Sequence, residues 1–239
     1  RDLVRSRGLG DVYKRQTMYN LIKLHLLLCT LILSMSSLAS NEEVFERANT
    51  GVVLIMGDDG FGSGALISSQ GYILTNWHVV EGAENLEVAL HHEYDLGDDF
   101  QEYFFEAKVI KVDSEKDLAL IKIINPPKDL NVLRISQVIS PIGSQVHAIG
   151  HPNTEFWSYT TGYISQMKNQ HEWSYEDGGI DHVATVYLTQ TPIDEGNSGG
   201  PLLNEHGNII GINTFGSREA SFQNYSVSAI EVIRFLAAR

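Results

Sequence analysis

Cysteine is almost missing from this chain: Cys29 is the single one among 239 residues. That excludes a disulfide scaffold and any cysteine-rich zinc or iron–sulfur site. Basic charge is short as well, with 17 Lys and Arg against 30 Asp and Glu and a formal charge of −13. Such a balance speaks against a dedicated nucleic-acid binder, because phosphate recognition needs clustered cations. Proline is scarce, at six residues, and neither a linker-like stretch nor an internal repeat is visible. The apolar run Leu26–Met35 is half as long as the roughly 20 residues that span a bilayer. What is present is ordinary for a globular protein: 43% apolar residues, 20% charged residues and 21 glycines. Disorder, collagen-like repeats and coiled coil are thereby excluded, and the length suffices for a real core in one or two domains.

Charge is unevenly placed. Residues 1–39 hold six basic and two acidic residues, so Ser40 onward carries a formal −17. Within the basic stretch, Met18 opens a segment with Lys23, the run Leu26–Met35, and small residues at Ser37 and Ala39. This is the layout of a signal peptide over residues 18–39, cut after Ala39; an uncleaved membrane anchor is the alternative. Cys29 follows the bulky Leu28, which argues against lipid attachment. Cleavage would remove Cys29 and leave an exported chain, periplasmic or secreted, that has no disulfide to rely on. Residues 1–17 fit neither a signal nor a domain and read as a non-native extension.

From Gly51 onward the chain reads as short strands rich in Val, Ile, Thr, Tyr and Phe, punctuated by Gly, Asn, Asp and Ser. Twelve are expected. They are Val52–Met56, Gly64–Ser68, Tyr72–Thr75, Leu86–Leu90, Phe104–Val112, Leu118–Ile123, Gln145–Ile149, Ser158–Ser165, Ala184–Thr189, Gly200–Leu203, Ile209–Asn213 and Tyr225–Val227. Turns are expected at Ser69–Gly71 and Asn204–Gly207. Only the stretch after Ser228 has helical periodicity, with Ser228 and Glu231 at capping-box spacing. The pattern predicts an all-β protein, two-barrel or sandwich, closed by a C-terminal helix. The acidic, aromatic stretch 87–106 reads as a surface loop. Asp95, Asp98, Asp99 and Glu102 lack EF-hand spacing, and adjacent His91 and His92 would point to opposite faces of a strand.

The segment Asp194–Pro201 (DEGNSGGP) carries the chemistry. Ser198 lies between glycines, with an exposed hydroxyl and a backbone free to bend. The N–H groups of Gly196 and Ser198 are placed to converge on a developing oxyanion. A serine of this kind needs a base and an orienter. His78 ends an apolar strand next to Trp77, and Asp117 opens another. Each alone is commonly a core histidine or a turn cap. The order His, Asp, Ser, divided about a midpoint, is what a two-barrel triad enzyme requires.

With GSGALIS (62–68), TNWHVV (75–80), DLALIKI (117–123), HAIGHP (147–152), GNSGGPLLN (196–204) and GNIIGINT (207–214), the chain resembles the trypsin-like protease domain of the HtrA/Deg family. The likeness runs from about Val52 to Ala238. It implies a chymotrypsin-like double β-barrel with the active site between the barrels, over residues 40–239. It further implies His78 as general base, Asp117 rather than Asp113 as its orienter, Ser198 as nucleophile and Gly196 with Ser198 as oxyanion hole. No cofactor and no metal are implied.

Specificity departs from the family pattern. Six residues before Ser198 stands Pro192, where trypsin has an acid, so Arg or Lys at P1 is not implied. Ile193 corresponds to a pocket-lining aliphatic. After Thr214, Phe215 and Gly216 replace the aliphatics usual in HtrA proteins, and Gly216 would widen the pocket; uncharged P1 residues are expected. HtrA proteins usually carry PDZ domains after the protease, whereas this sequence stops at Arg239, either as a stand-alone protease or as part of a longer one. The expected function is an exported serine endopeptidase acting on unfolded or damaged polypeptides, with a role in protein quality control implied by the resemblance. The alternative is a catalytically silent chaperone or binding module on the same fold. Membrane contact is expected only if the leader stays uncut, and oligomeric state is left open.

Overall fold

The computed structural model describes residues 39–58, 60–91, 104–175, 182–216 and 223–238, together with Gln16, residues 18–20 and Lys23. Residues 1–38 and 39–239 are separate compact units. In the first, the few described residues are helical, and most of the expected signal segment lies outside the described residues. Among the described residues, no helix is long and apolar enough to cross a membrane. The acidic stretch from His92 to Tyr103, with Asp95, Asp98, Asp99 and Glu102, also lies outside them.

All twelve expected strands form. The first six are β1 (Val52–Met56), β2 (Phe61–Leu66), β3 (Tyr72–Thr75), β4 (Glu87–Leu90), β5 (Phe104–Asp113) and β6 (Leu118–Ile123). They close into an antiparallel barrel in the order β1-β2-β3-β6-β5-β4. The second six are β7 (Gln145–Gly150), β8 (Ser158–Trp173), β9 (His182–Thr189), β10 (Pro201–Leu203), β11 (Ile209–Gly216) and β12 (Asn224–Ser228). These close in the order β10-β11-β12-β9-β8-β7. Two barrels are formed, not a sandwich. The turns at Gly71 and Gly207 form as expected, each glycine donating its N–H three residues back, to Ser68 and Asn204.

The apolar run of β1 shows why a strand can be hydrophobic on both faces. Val53 and Ile55 alternate into the first barrel's core, while Val52 joins a cluster shared by both barrels, as the two-residue period of a strand dictates. The inter-barrel connection is pinned from both sides. Leu133 donates its N–H to the Leu66 carbonyl in β2, while Ser136 donates to the Ile209 carbonyl and Ile209 to that of Arg134, across a parallel bridge at Ile135. The Trp157 indole N–H donates to the Val52 carbonyl at 2.9 Å. A shared core and these bonds hold the cleft walls in register.

Three local differences have physical causes. A helix, α1 (Asn41–Ala48), precedes β1 and carries a complete capping box between Ser40 and Glu43. Its apolar side seats Val44 and Ala48 in the core. The box expected at Ser228 and Glu231 does not form at the start of α2 (Ala229–Ala237). Ser228 is held in β12, paired with Gly211, and the Glu231 carboxylate accepts from the Thr185 N–H and from Arg234. Strand β8 runs to Trp173 instead of ending at Ser165. The added residues, Gln166–Trp173, are mostly polar and carry no strand signature. Pairing with β9 holds them, and His171 and Trp173 stack on Phe215 at 6.1 and 5.1 Å.

Candidate active site

The first barrel supplies His78 and Asp117. After β3 the chain turns through Asn76 and Trp77, so His78 stands at the barrel's rim. Asp117 ends the turn between β5 and β6 with a left-handed φ of 53°, a conformation Asp tolerates better than most residues. Its carbonyl accepts from the buried Asn76 side chain at 2.8 Å, which fixes the strained turn. The Asp117 carboxylate is fully buried. Its Oδ2 lies 2.8 Å from His78 Nδ1, and its Oδ1 accepts from the His78 backbone N–H at 3.0 Å. A ring bonded so at Nδ1 carries its proton there and leaves Nε2 as the acceptor. Asp113, the other aspartate in this turn, instead caps the Lys116 N–H.

The second barrel supplies the 194–201 loop. Gly196 and Gly199 have φ of 96° and 83°, and a Cβ at either would meet backbone oxygen, of His151 and Ser63 respectively. Only glycine fits this close approach. Bonds from Ser63 N–H to the Ser198 carbonyl and from Gly199 N–H to the Asn213 carbonyl, both 2.8 Å, tie the loop to β2 and β11. The Glu195 carbonyl accepts from the Asn153 N–H at 3.0 Å, so across a trans peptide the Gly196 N–H faces the other way. Among the described residues, the N–H groups of Gly196 and Ser198 have no acceptor. Two unpaired backbone donors two residues apart are the makings of an anion site.

His78, Gly196 and Ser198 line one cleft of about 230 Å³, rimmed by Phe61, Glu81 and Glu195. The Ser198 hydroxyl, however, donates to the Thr214 carbonyl at 3.1 Å rather than to His78. Among the described residues, no group of His, Cys, Asp or Glu is arranged to hold a metal ion.

Fold, cleft and residue pattern can now be set beside known proteins. Residues 62–212 match the trypsin-like peptidase domain, more than half of the chain. The chain belongs to the trypsin-like peptidase family. It is 36% identical over 65% of its length to Protease Do-like 1, chloroplastic, of Arabidopsis thaliana, covering 33% of that protein. It is 33% identical over 65% of its length to the periplasmic pH-dependent serine endoprotease DegQ of Escherichia coli, covering 31% of it. A solved serine endoprotease from Yersinia pestis superposes with a TM-score of 0.68 at 29% identity, over 82% of this chain and 65% of that one. The chain thus spans about a third of the length of the curated relatives it matches. Its barrels have the chymotrypsin-like architecture of HtrA-type proteases.

The residues expected to form a specificity pocket lie around the second barrel's loop. Ile193, Thr214, Phe215 and Gly216 flank the 194–201 loop, and Phe215 and Gly216 pair with Tyr225 and Asn224 on β12. The space beside Gly216 is not open. A Cβ there would stand 2.6 Å from Asn224 Oδ1, and the same carboxamide donates to the Thr191 carbonyl at 2.7 Å. Nothing in the sequence marked Asn224 as a neighbour of Gly216, because only the β11–β12 register brings it there.

Two further groups escaped sequence reasoning. The fully buried His151 bonds through Nδ1 to Ser63 Oγ at 2.8 Å, and that hydroxyl donates to the Gly196 carbonyl at 2.7 Å. His151 Nε2 is buried without a partner, and burial pushes the imidazole down to about 3, so it is neutral. Tyr175, just past β8, packs its ring 4.9 Å from that of His78. Trp77, the aromatic next to His78 in sequence, packs on His182 instead.

Proposed function

We propose that this chain is an exported serine endopeptidase acting through His78, Asp117 and Ser198. The observation that carries the reading is His78, bonded through Nδ1 to a buried carboxylate and sharing a cleft with Ser198 and two unpaired N–H groups. Ser198 Oγ attacks the scissile carbonyl while His78 Nε2 takes its proton. Asp117 holds the Nδ1–H tautomer and stabilises the imidazolium. The N–H groups of Gly196 and Ser198 receive the oxyanion, a contribution worth about 3 kcal/mol per donor in such sites. His78 then returns the proton to the leaving amine, giving an acyl-enzyme that water hydrolyses by the same steps in reverse order of roles. No cofactor is required.

Unfolded or damaged polypeptides are the proposed substrates, in protein quality control outside the cytoplasm. The signal-peptide layout of residues 18–39 and likeness to a protein named periplasmic support that setting. One observation favours a silent binding module: Ser198 faces Thr214, away from the base. Catalysis requires that the hydroxyl leave this carbonyl and turn to His78 by a change of χ1 between staggered wells.

The test is labelling by a fluorophosphonate probe, with casein hydrolysis alongside. Wild type should label at Ser198 and cut casein, and Ser198→Ala should lose both, activity by at least about 10⁴-fold. Labelling that survives in Ser198→Ala removes that residue from the mechanism. Intact binding of casein without cleavage by wild type would favour the binding module.

A further inference from the structure

The buried Asp117 carboxylate has few donors. Among the described residues they are the His78 backbone N–H, His78 Nδ1 and one more, the Tyr175 hydroxyl, which donates to Oδ2 at 2.9 Å. The neighbouring hydroxyl, on Thr214, is turned elsewhere: it donates to the Ile212 carbonyl and accepts from Asn76. Tyr175 O is also 3.0 Å from His78 Nδ1, so the ring proton lies between a carboxylate oxygen and a phenol oxygen. Burial and the adjacent Asp117 charge hold the phenol above its ordinary range, so it keeps its proton and remains a donor.

Tyr175 reaches this place because β8 stays paired with β9 as far as Trp173. A row of rings leads to it: Tyr225 on Phe215 at 4.6 Å, Phe215 on Trp173 at 5.1 Å, Trp173 on His182 at 5.2 Å and His182 against Tyr175 at 5.2 Å. His182 is itself fixed by its Nδ1 at 2.7 Å from the Ser114 carbonyl, in the turn that presents Asp117. The hydroxyl therefore comes from the second barrel on a packed support to a carboxylate in the first.

We propose that Tyr175 is a positioning residue for the His78–Asp117 pair, locking the Asp117 carboxylate in the plane that His78 needs and taking part of its charge. This rests on the triad reading above. Loss of the hydroxyl leaves Oδ2 to His78 alone, in a site where an unsatisfied buried oxygen is costly. The carboxylate is then freer to turn, and its charge acts more fully on the imidazole. The other titratable groups facing the pair are Asp58, Glu81 and Glu195 along the cleft and His182 behind Tyr175. Lys116, next in the chain, is turned to the Val183 carbonyl.

Tyr175→Phe tests this, since the ring and its stacking remain. The expected result is a roughly tenfold fall in plateau kcat/KM carried by kcat. The acid limb of the rate–pH profile should move up by about half a unit. The downfield proton resonance of His78 Nδ1–H, read without substrate, should move as well. A variant whose profile, kcat and resonance coincide with wild type overturns the proposal, as does a loss confined to melting temperature. If wild type itself is not labelled at Ser198, the triad reading fails, and the resonance alone then decides whether Tyr175 sets the pair.

Discussion

The first barrel holds its two site residues through side chains. Asp117 bonds to His78 twice, Asn76 bonds to the Asp117 carbonyl, and each bond has a named donor. The second barrel holds Ser198 almost wholly through backbone: left-handed glycines, carbonyls of Asn213 and Thr214, and two N–H groups kept without acceptors. The same six-stranded topology thus delivers a bonded His–Asp pair from one side and a shaped main-chain cup from the other, the two parts that the proposed mechanism needs. A proton carrier needs its tautomer set by a specific partner, whereas an oxyanion needs donors that have nothing else to bind. The two barrels should therefore fail differently when altered.

The largest effect should come from exchanging one group on each side. Asp117→Asn removes the charge that supports the imidazolium, and kcat/KM is expected to fall by about 10⁴-fold with KM little changed. Gly196→Ala should cost about 10²–10³-fold by displacing a donor, and stability as well, on the order of 1–3 kcal/mol, because its φ of 96° and the His151 carbonyl resist a Cβ. Steady-state kinetics with thermal melts read both. Equal melting losses in the two variants would erase the proposed contrast.

That contrast also explains what could be read from the sequence. Strands β3 and β6 appear at their expected limits because YILT and LALIKI alternate or run apolar within clear turns. The proposed site residues carried local signals, His78 and Asp117 beside such runs and Ser198 among glycines, and the structure brings His78 against Asp117 and puts His78 and Ser198 in one cleft. What was hidden depends on distance along the chain. Tyr175 meets Asp117 across 58 positions just past a strand whose last residues are mostly polar, and Asn224 enters through strand register. Helix α1 was readable in principle, from Ser40 and Glu43 at the same spacing that misled at Ser228 and Glu231. Local spacing fixes a cap only when no neighbouring strand claims the groups.

The loop of the second barrel carries an acid liability in a group outside the proposed triad. His151 supports Ser63 and, through it, the Gly196 carbonyl, and burial lowers it from 6.5 to about 3. Between those values the unfolded chain binds a proton that the folded chain refuses. Stability is therefore level above about pH 6.5 and falls as pH drops toward 3, by an amount on the order of a few kcal/mol. His147, also lowered by burial, acts in the same direction. Urea melts at pH 7, 6 and 5 should show the slope, and His151→Gln should flatten it. An equal slope in that variant would place the sensitivity elsewhere.

The smallest expected effect concerns which residue enters the pocket. Gly216 alone predicts a wide site, but the Asn224 carboxamide stands in that space, braced on Thr191. Asn224→Ala should reopen it and raise cleavage after larger uncharged P1 residues relative to small ones by about three- to tenfold, the scale of one or two methylenes in a pocket. Ser198 labelling should stay the same, because Asn224 touches none of the proposed proton-transfer groups. A peptide-library profile comparing the two proteins measures this directly. If the profile is unchanged, Asn224 fills space outside the pocket, and the second barrel would then select substrate by its backbone cup and Ile193 alone.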